Sequence, residues 1–234
     1  MVTIREGRPT VCFVDLNALG WNFRQTRSKV GPQVKILSMV KANGYGHGAP
    51  AIAKALAAEG SDAFGVATVE EGVELRQAGI CTPILVLAGA YPDQADQFFD
   101  NSLTPVIHAL ASLEELDAIV HRRKKGLNVH LKIDTGMGRI GLLAAEVDAW
   151  LPKIKKLKAL KIEGIFSHFS HAESVEGNYT QQQLRVFQSV VEQLRADGIA
   201  PSLVHLANSA ATITLPAAYF DMVRPGLMLS LIHI

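Results

Sequence analysis

Lys41 stands in "VKANGYGHG" (40–48), where an apolar, β-branched run gives way to Gly44, Gly46 and Gly48. Lys132 and Asp134 lie in "KIDTGMGRIG" (132–141) with Arg139 near its end, His168 opens "HFSHAE" (168–173), Asn208 and Ser209 sit in "LANSAA" (206–211), and Arg224 sits in "MVRPGLML" (222–229). An amine, several cationic groups and glycine-bordered backbone suit one kind of chemistry. A lysine amine freed of its proton by burial and nearby positive charge can form a Schiff base with an aldehyde. Glycine-flanked amides and a serine hydroxyl can donate to phosphate oxygens. One lysine alone would read as a surface residue laying its stem along apolar surface. The set as a whole needs elements that bring it together.

Those elements are legible as an alternation. "VKILSMVKA" (34–42) reads as a buried strand that the glycines end, and "APAIAKALAAEG" (49–60) as a helix stopped by Gly60. After "TVCFVDL" (10–16), itself strand-like, seven further strand candidates follow: "AFGVAT" (63–68), "PILVLAG" (83–89), "LTPVIH" (103–108), "NVHLKIDTG" (128–136), "IEGIFSHFS" (162–170), "SLVHLANSA" (202–210) and "DMVRPGLML" (221–229). Helical patterns fill the gaps. Thr68 with Glu71 and Ser112 with Glu115 have capping-box spacing, while Gly79, Gly126 and Gly198 follow helices as stops. The alternation predicts an α/β fold with a parallel sheet. Eight strands favour a closed (β/α)8 TIM-like barrel over an open doubly wound sheet, whose G-x-G-x-x-G turn is not found.

In such a barrel the chemistry sits at the C-terminal ends of the strands. Lys41 is predicted to end the first barrel strand, Lys132 and Asp134 to lie on the fifth with Arg139 just after it, His168 to end the sixth, Asn208 and Ser209 the seventh, and Arg224 to lie on the eighth, all toward one rim. Phosphate sites often follow the seventh and eighth barrel strands. An aldehyde bearing a phosphate is pyridoxal 5'-phosphate (PLP), and Arg224 would be placed to meet its pyridine nitrogen.

Composition narrows the alternatives. The 234 residues are 48% hydrophobic and 19% charged, ordinary for a globular protein, and the formal net charge of +1 argues against a general electrostatic role at nucleic acid. The basic run "KIKKLKALK" (153–161) reads as a solvated helix face. No apolar segment is long enough to span a membrane and "MVTIREGRPT" lacks the apolar core of a signal peptide, so a cytoplasmic protein is expected. Cys12 and Cys81 have neither metal-ligand nor disulfide spacing and read as buried apolar residues. A metal-dependent barrel hydrolase, suggested by His168, His171 and Glu173, is the weaker reading, because histidines three apart on a strand point to opposite sides and no further set completes a site.

"VKANGYGHG", "KIDTGMGRIG", "HFSHAE", "LANSAA" and "MVRPGLML", in this order and spacing, resemble the N-terminal barrel of alanine racemases. The resemblance implies racemisation of L- and D-alanine with PLP by a homodimer, supplying D-alanine for peptidoglycan. Lys41 then looks like the lysine that holds PLP. Tyr45, Ser209 and the backbone of Gly226 and Leu227 look like phosphate ligands, with Asn208 beside them. Arg139 looks like the contact to the phenolic oxygen, and His168 like the ring neighbour that hydrogen-bonds Arg224. Lys132 matches a lysine that is carbamylated in many members. Lys41, Arg139, His168 and Arg224 are the expected catalytic set, with no metal. An arginine at the pyridine nitrogen leaves it unprotonated, a weaker electron sink that suits return of a proton to the same carbon.

In the family a second acid is a tyrosine from the partner subunit's C-terminal β-domain. Tyr91, Tyr179 and Tyr219 match no catalytic motif, and "SLIHI" (230–234) departs from the Tyr-Gly expected there. The expected organisation is therefore a strand over 1–16 that would join that β-domain, a PLP-binding barrel over 17–229 without its last helix, and a tail over 230–234 foreign to the family pattern. A fragment with impaired activity follows from that reading. A non-catalytic PLP-binding barrel is the other reading kept; Arg139, Lys132 and "VRPG" stand against it.

Overall fold

Strands and helices alternate along the computed structural model of the chain, which describes residues 13–173 and 178–230. Helix α1 (Leu16–Val30) precedes strand β1 (Lys35–Met39), the tight turn α2 (Lys41–Tyr45) and helix α3 (Ala49–Ala58). Then come β2 (Ala63–Val66), α4 (Val69–Gln77), β3 (Ile84–Val86), α5 (Ala95–Asp100), β4 (Leu103–Ile107), α6 (Leu110–Arg122), β5 (Leu127–Asp134) and β6 (Leu142–Leu143). The series ends with α7 (Val147–Ile154), β7 (Leu160–Phe166), α8 (Tyr179–Ala196), β8 (Leu203–His205), α9 (Ser209–Thr214), β9 (Met222–Val223) and α10 (Leu227–Ser230).

Eight of these strands pair in parallel in the order β1-β2-β3-β4-β5-β7-β8-β9, and β9 returns to β1 with Lys35 opposite Met222. The sheet is thus a closed (β/α)8 barrel, as the alternation predicts. Strand β6 pairs with β5 alone, Leu142 opposite Ile133, and carries the loop that holds Arg139.

Two buried clusters follow from strand pleat, since residues two apart share a face. Leu37, Leu85, Val106, Phe166 and Met222 fill the lumen, while Ile36, Phe64, Ile84, Ile133 and Ile165 belong to the larger layer between sheet and helices. Burying each such side chain contributes about 1.5–3 kcal/mol.

Several local expectations are corrected. The strand expected over 1–16 lies mostly outside the described residues; of its described part, 13–16, Asp15 accepts the amides of Asn17 and Ala18 at 2.8 and 3.1 Å and caps α1, which begins at Leu16. Ser112 caps nothing: α6 starts earlier, at Leu110 after Ala109, because Leu113, Leu116 and Val120 set its buried stripe. Lys124, at φ 55°, takes the left-handed position after α6 that was expected of Gly126. Cys81 is exposed, and Cys12 lies outside the described residues. The lysines of "KIKKLKALK" are solvated, yet the run leaves α7 after Ile154 and enters β7. A short α10 follows the last strand where no helix was expected.

Candidate active site

Lumen parity carries the polar residues to one rim. Leu37 and Met39 pack in the lumen of β1, and Lys41 is the next position of that parity. On β5 the same parity runs His130, Lys132, Asp134; beyond β7 it reaches His168 from Phe166, and beyond β9 it reaches Arg224 from Met222. Lys132 Nζ lies over the Phe166 ring at 5.7 Å and the Arg224 guanidinium at 4.9 Å. One aromatic ring therefore floors the site.

Arg224 is the most constrained group. It is 4% exposed, and it donates through Nη2 to the carbonyls of Ser167 (2.6 Å) and Leu206 (3.1 Å) and to His168 Nδ1 (3.3 Å), and through Nη1 to His205 Nδ1 (3.2 Å). Burial loosens its hold on the proton, to about 9, which still leaves it charged at neutral pH. A guanidinium only donates, so both imidazoles accept through Nδ1 and are neutral. Burial first, then the Arg224 charge, followed by Lys132, Arg139 and Lys41, lowers His168 to about 3.

His205 is a residue that sequence reasoning missed. With Nδ1 accepting, its proton is on Nε2 and is donated to His130 Nδ1 at 2.9 Å; His130 Nε2 then faces Glu163 Oε2 at 3.7 Å near the opposite end of the barrel. A run of donors thus leads from the rim through the lumen to a carboxylate. The period-two pattern of β8, with His205 between inward-facing Leu203 and the rim, was the available signal.

Lys132 is buried, and burial, with Arg139 and Arg224, brings its amine down to about 8. Its neighbour Asp134 is buried too. That burial opposes its ionisation, but the amides of Gly136 (2.8 Å), Gly138 (3.2 Å) and Arg139 (3.1 Å), together with that of Met137, outweigh it and hold the carboxylate below its usual range. Asp134 thus shapes the loop that presents the exposed Arg139. Tyr179 ties the same loop down by donating to the Gly136 carbonyl at 2.6 Å, and the fully buried Gln183 donates to the His168 carbonyl at 3.2 Å.

A third group could cradle an anion. Ser209 Oγ accepts the amides of Gly226 (3.0 Å) and Met228 (3.2 Å), with Leu227 between them. A Cβ on Gly226 would collide with the Tyr45 hydroxyl, so Tyr45 closes over that glycine, and burial raises its phenol and keeps it a donor. Asn208 caps α9 by accepting the Ala211 amide at 3.0 Å, which fixes Ser209 as that helix's first residue. Met228 is an addition to the set read from sequence. Two hydroxyls and glycine-flanked amides beside an amine and a charged guanidinium fit the phosphate, aldehyde and ring nitrogen of PLP.

His171 and Glu173 are exposed, and His168 is turned to Arg224; among the described residues no three His, Cys, Asp or Glu side chains gather closely enough to hold a metal. No described helix is long and apolar enough to cross a membrane.

The fold and rim define a (β/α)8 barrel whose rim gathers a lysine, a buried arginine and a set of hydroxyls and amides that could accept an anion. The family profile described as "Alanine racemase, N-terminal domain" matches residues 14–233. The alanine racemase of Carboxydothermus hydrogenoformans is 42% identical over 226 residues, which are 95% of this chain and 60% of that protein. Alanine racemase 2 of Caldanaerobacter subterraneus subsp. tengcongensis is 41% identical over 225 residues, 96% of this chain and 58% of that one. The solved alanine racemase of Clostridium difficile 630 superposes with a TM-score of 0.90 at 32% identity, over 96% of this chain and 62% of its own. This chain belongs to the alanine racemase family. It spans about 60% of the length of the curated relatives it matches.

Proposed function

We propose that this chain is the PLP-binding barrel of an alanine racemase that interconverts L- and D-alanine as a cytoplasmic homodimer, supplying D-alanine for peptidoglycan. The observation that carries the reading is Arg224, charged, buried and aimed by two carbonyls and two neutral imidazoles at the rim that also holds Lys41. When bound, PLP supplies an electron sink for the bonding pair of the substrate α-carbon.

The chain's residues divide the remaining work. Lys41 would hold the cofactor covalently, and its amine, once released, would carry a proton at one face of that carbon. Tyr45, Ser209 and the backbone of Gly226, Leu227 and Met228 would hold the phosphate, Arg139 the phenolic oxygen. Arg224, able only to donate, would leave the ring nitrogen without a proton, so that charge on the α-carbon is weakly dispersed and the proton returns to the same atom. The opposite face needs a second proton carrier, which the family resemblance assigns to a tyrosine of a partner subunit. Within this chain the Tyr179 and Tyr219 hydroxyls are engaged with the carbonyls of Gly136 and Thr212 at 2.6 Å each.

Borohydride reduction of the PLP-loaded protein, followed by peptide mass mapping, tests the reading. Label on the peptide containing Lys41 is expected, with racemisation of either alanine enantiomer when the partner domain that carries the second proton carrier is supplied. Label on Lys54 or Lys132 instead would overturn the site, and label on Lys41 without racemisation when that domain is present would support a non-catalytic PLP carrier.

A further inference from the structure

The turn that follows Lys41 is left-handed through five successive residues: Ala42 (φ 52°), Asn43 (φ 53°), Gly44 (φ 62°), Tyr45 (φ 56°) and Gly46 (φ 86°). Three of the five carry a Cβ, and each such residue resists this conformation by roughly 1–2 kcal/mol. Something outside the turn must hold it. Asn43 accepts the Ala49 amide at 2.8 Å and secures the turn's far end on α3. At the near end the acceptor is Glu71.

Glu71 sits in the first turn of α4, whose N-cap Thr68 accepts the Glu71 amide at 3.4 Å. In a reciprocal capping box the glutamate would return to the amide of Thr68 itself. Here Oε2 accepts instead from the Ala67 amide at 2.6 Å, and Oε1 reaches across to the Ala42 amide at 2.7 Å. One carboxylate therefore bridges the exits of β1 and β2, and its first contact is the peptide bond directly after Lys41. Fixing that peptide fixes the backbone from which the Lys41 side chain departs. The geometry points to Glu71 as a positioning residue that holds Lys41 in register for covalent attachment of a phosphorylated aldehyde; this rests on the function proposed above.

The bridge needs two acceptor oxygens for two amide donors. Glutamine offers one acceptor and would set its own N–H groups against an amide; alanine offers none. Thr68→Ala weakens the same helix start but leaves the carboxylate in place, and so separates helix stability from the bridge.

The experiment uses the full chain in three forms besides wild type: Glu71→Gln, Glu71→Ala and Thr68→Ala. Amide hydrogen exchange at Ala42 is measured without cofactor, and the yield of reduced label on Lys41 is measured at limiting PLP. Both Glu71 variants should exchange Ala42 faster and label Lys41 less, each by at least about tenfold, the factor a charge-assisted hydrogen bond carries. Thr68→Ala should behave as wild type in both. Wild-type exchange and labelling in Glu71→Ala would overturn the inference alone. Equal losses in Thr68→Ala would also overturn it, assigning the effect to helix stability. Absence of label on Lys41 in the wild type would overturn the function proposed above and this inference with it.

Discussion

Arg224 Nη1 and His205 Nδ1 lie 3.2 Å apart with both side chains buried, and that contact fixes the protons of two histidines. Since the arginine must donate, His205 must accept there and donate through Nε2 to His130. The His205 ring also stacks on Phe166, with centroids 4.7 Å apart and an angle of 11° between planes. Phenylalanine therefore suits the shape of the position but not its hydrogen bonds.

His205→Phe is expected to leave one guanidinium donor and the His130 Nδ1 acceptor unpaired in the lumen, at a cost of about 1–3 kcal/mol for each stranded group. Urea unfolding of the unloaded protein measures it. A midpoint equal to wild type would mean that neither group depends on His205.

The three lumen histidines also set a direction for acid sensitivity. Burial lowers His168 to about 3, His205 well below its usual 6.5, and His130 below it as well, despite the opposing pull of Glu163 on the last. The unfolded chain binds protons at these positions once the pH drops below about 6.5, and the folded chain does not, so stability falls as the pH falls. Each neutral histidine contributes up to about 1.4 kcal/mol per pH unit in that window. His168→Gln retains an acceptor for Arg224 without a titrating ring. Its unfolding midpoint should decline less steeply than the wild type's over roughly pH 5–6.5. Parallel declines would show that His168 is not held neutral by the fold.

The barrel was legible because βα alternation is a repeated, redundant signal: each strand begins at an apolar run and ends near a glycine or polar residue. Strand ends were read too long, since Lys41, His168, Ser209 and Arg224 continue the lumen parity after the ladder has stopped. That overreach did no harm to the site, which depends on parity and not on pairing. Glycines at 44, 46 and 48 marked a turn, but the left-handed backbone of Ala42, Asn43 and Tyr45 was not visible, because it is imposed by Glu71 and Asn43 acting from outside or across the turn. Thr68 and Glu71 were read as a local cap, and only the third dimension gives the carboxylate its second partner. His205 and His130 were legible in principle by alternation, yet single histidines on apolar strands carry no motif.

Lys132 makes a chemical prediction. An amine brought down to about 8 has a sizeable neutral fraction near that pH, and only the neutral form adds carbon dioxide. Carbamylation forms the N–C bond, releases one proton and leaves an anion beside Arg139 and Arg224, whose charges favour it. Native mass spectrometry in bicarbonate should show one added carbon dioxide, lost on acidification and absent in Lys132→Met. Persistence of the adduct in Lys132→Met would assign it elsewhere.

Gly226 and Tyr45 supply a test of the cradle by geometry alone. A Cβ at Gly226 would occupy the space of the Tyr45 hydroxyl and approach Met39 Cβ at 3.0 Å, and the backbone at Gly226 is not left-handed, so the obstacle is the neighbouring atom and not the conformation. Gly226→Ala should therefore push Tyr45 off the cradle while leaving the barrel folded. Losing that hydroxyl's bond to a charged phosphate should weaken PLP binding by roughly ten- to a hundredfold. Tyr45→Phe should lose a similar amount by removing the hydroxyl directly. The phenyl ring lacks the oxygen that comes closest and leaves contacts of 3.0 Å to Met39 Cβ and 3.1 Å to the ring, so adding Gly226→Ala to Tyr45→Phe should cost less than it does in the wild type, and the two changes should be non-additive. Equilibrium PLP titration of the wild type, the two single variants and the double variant measures the coupling. Additive losses would mean that Gly226 and Tyr45 meet the phosphate independently, and that the hydroxyl does not close over the glycine when the site is filled.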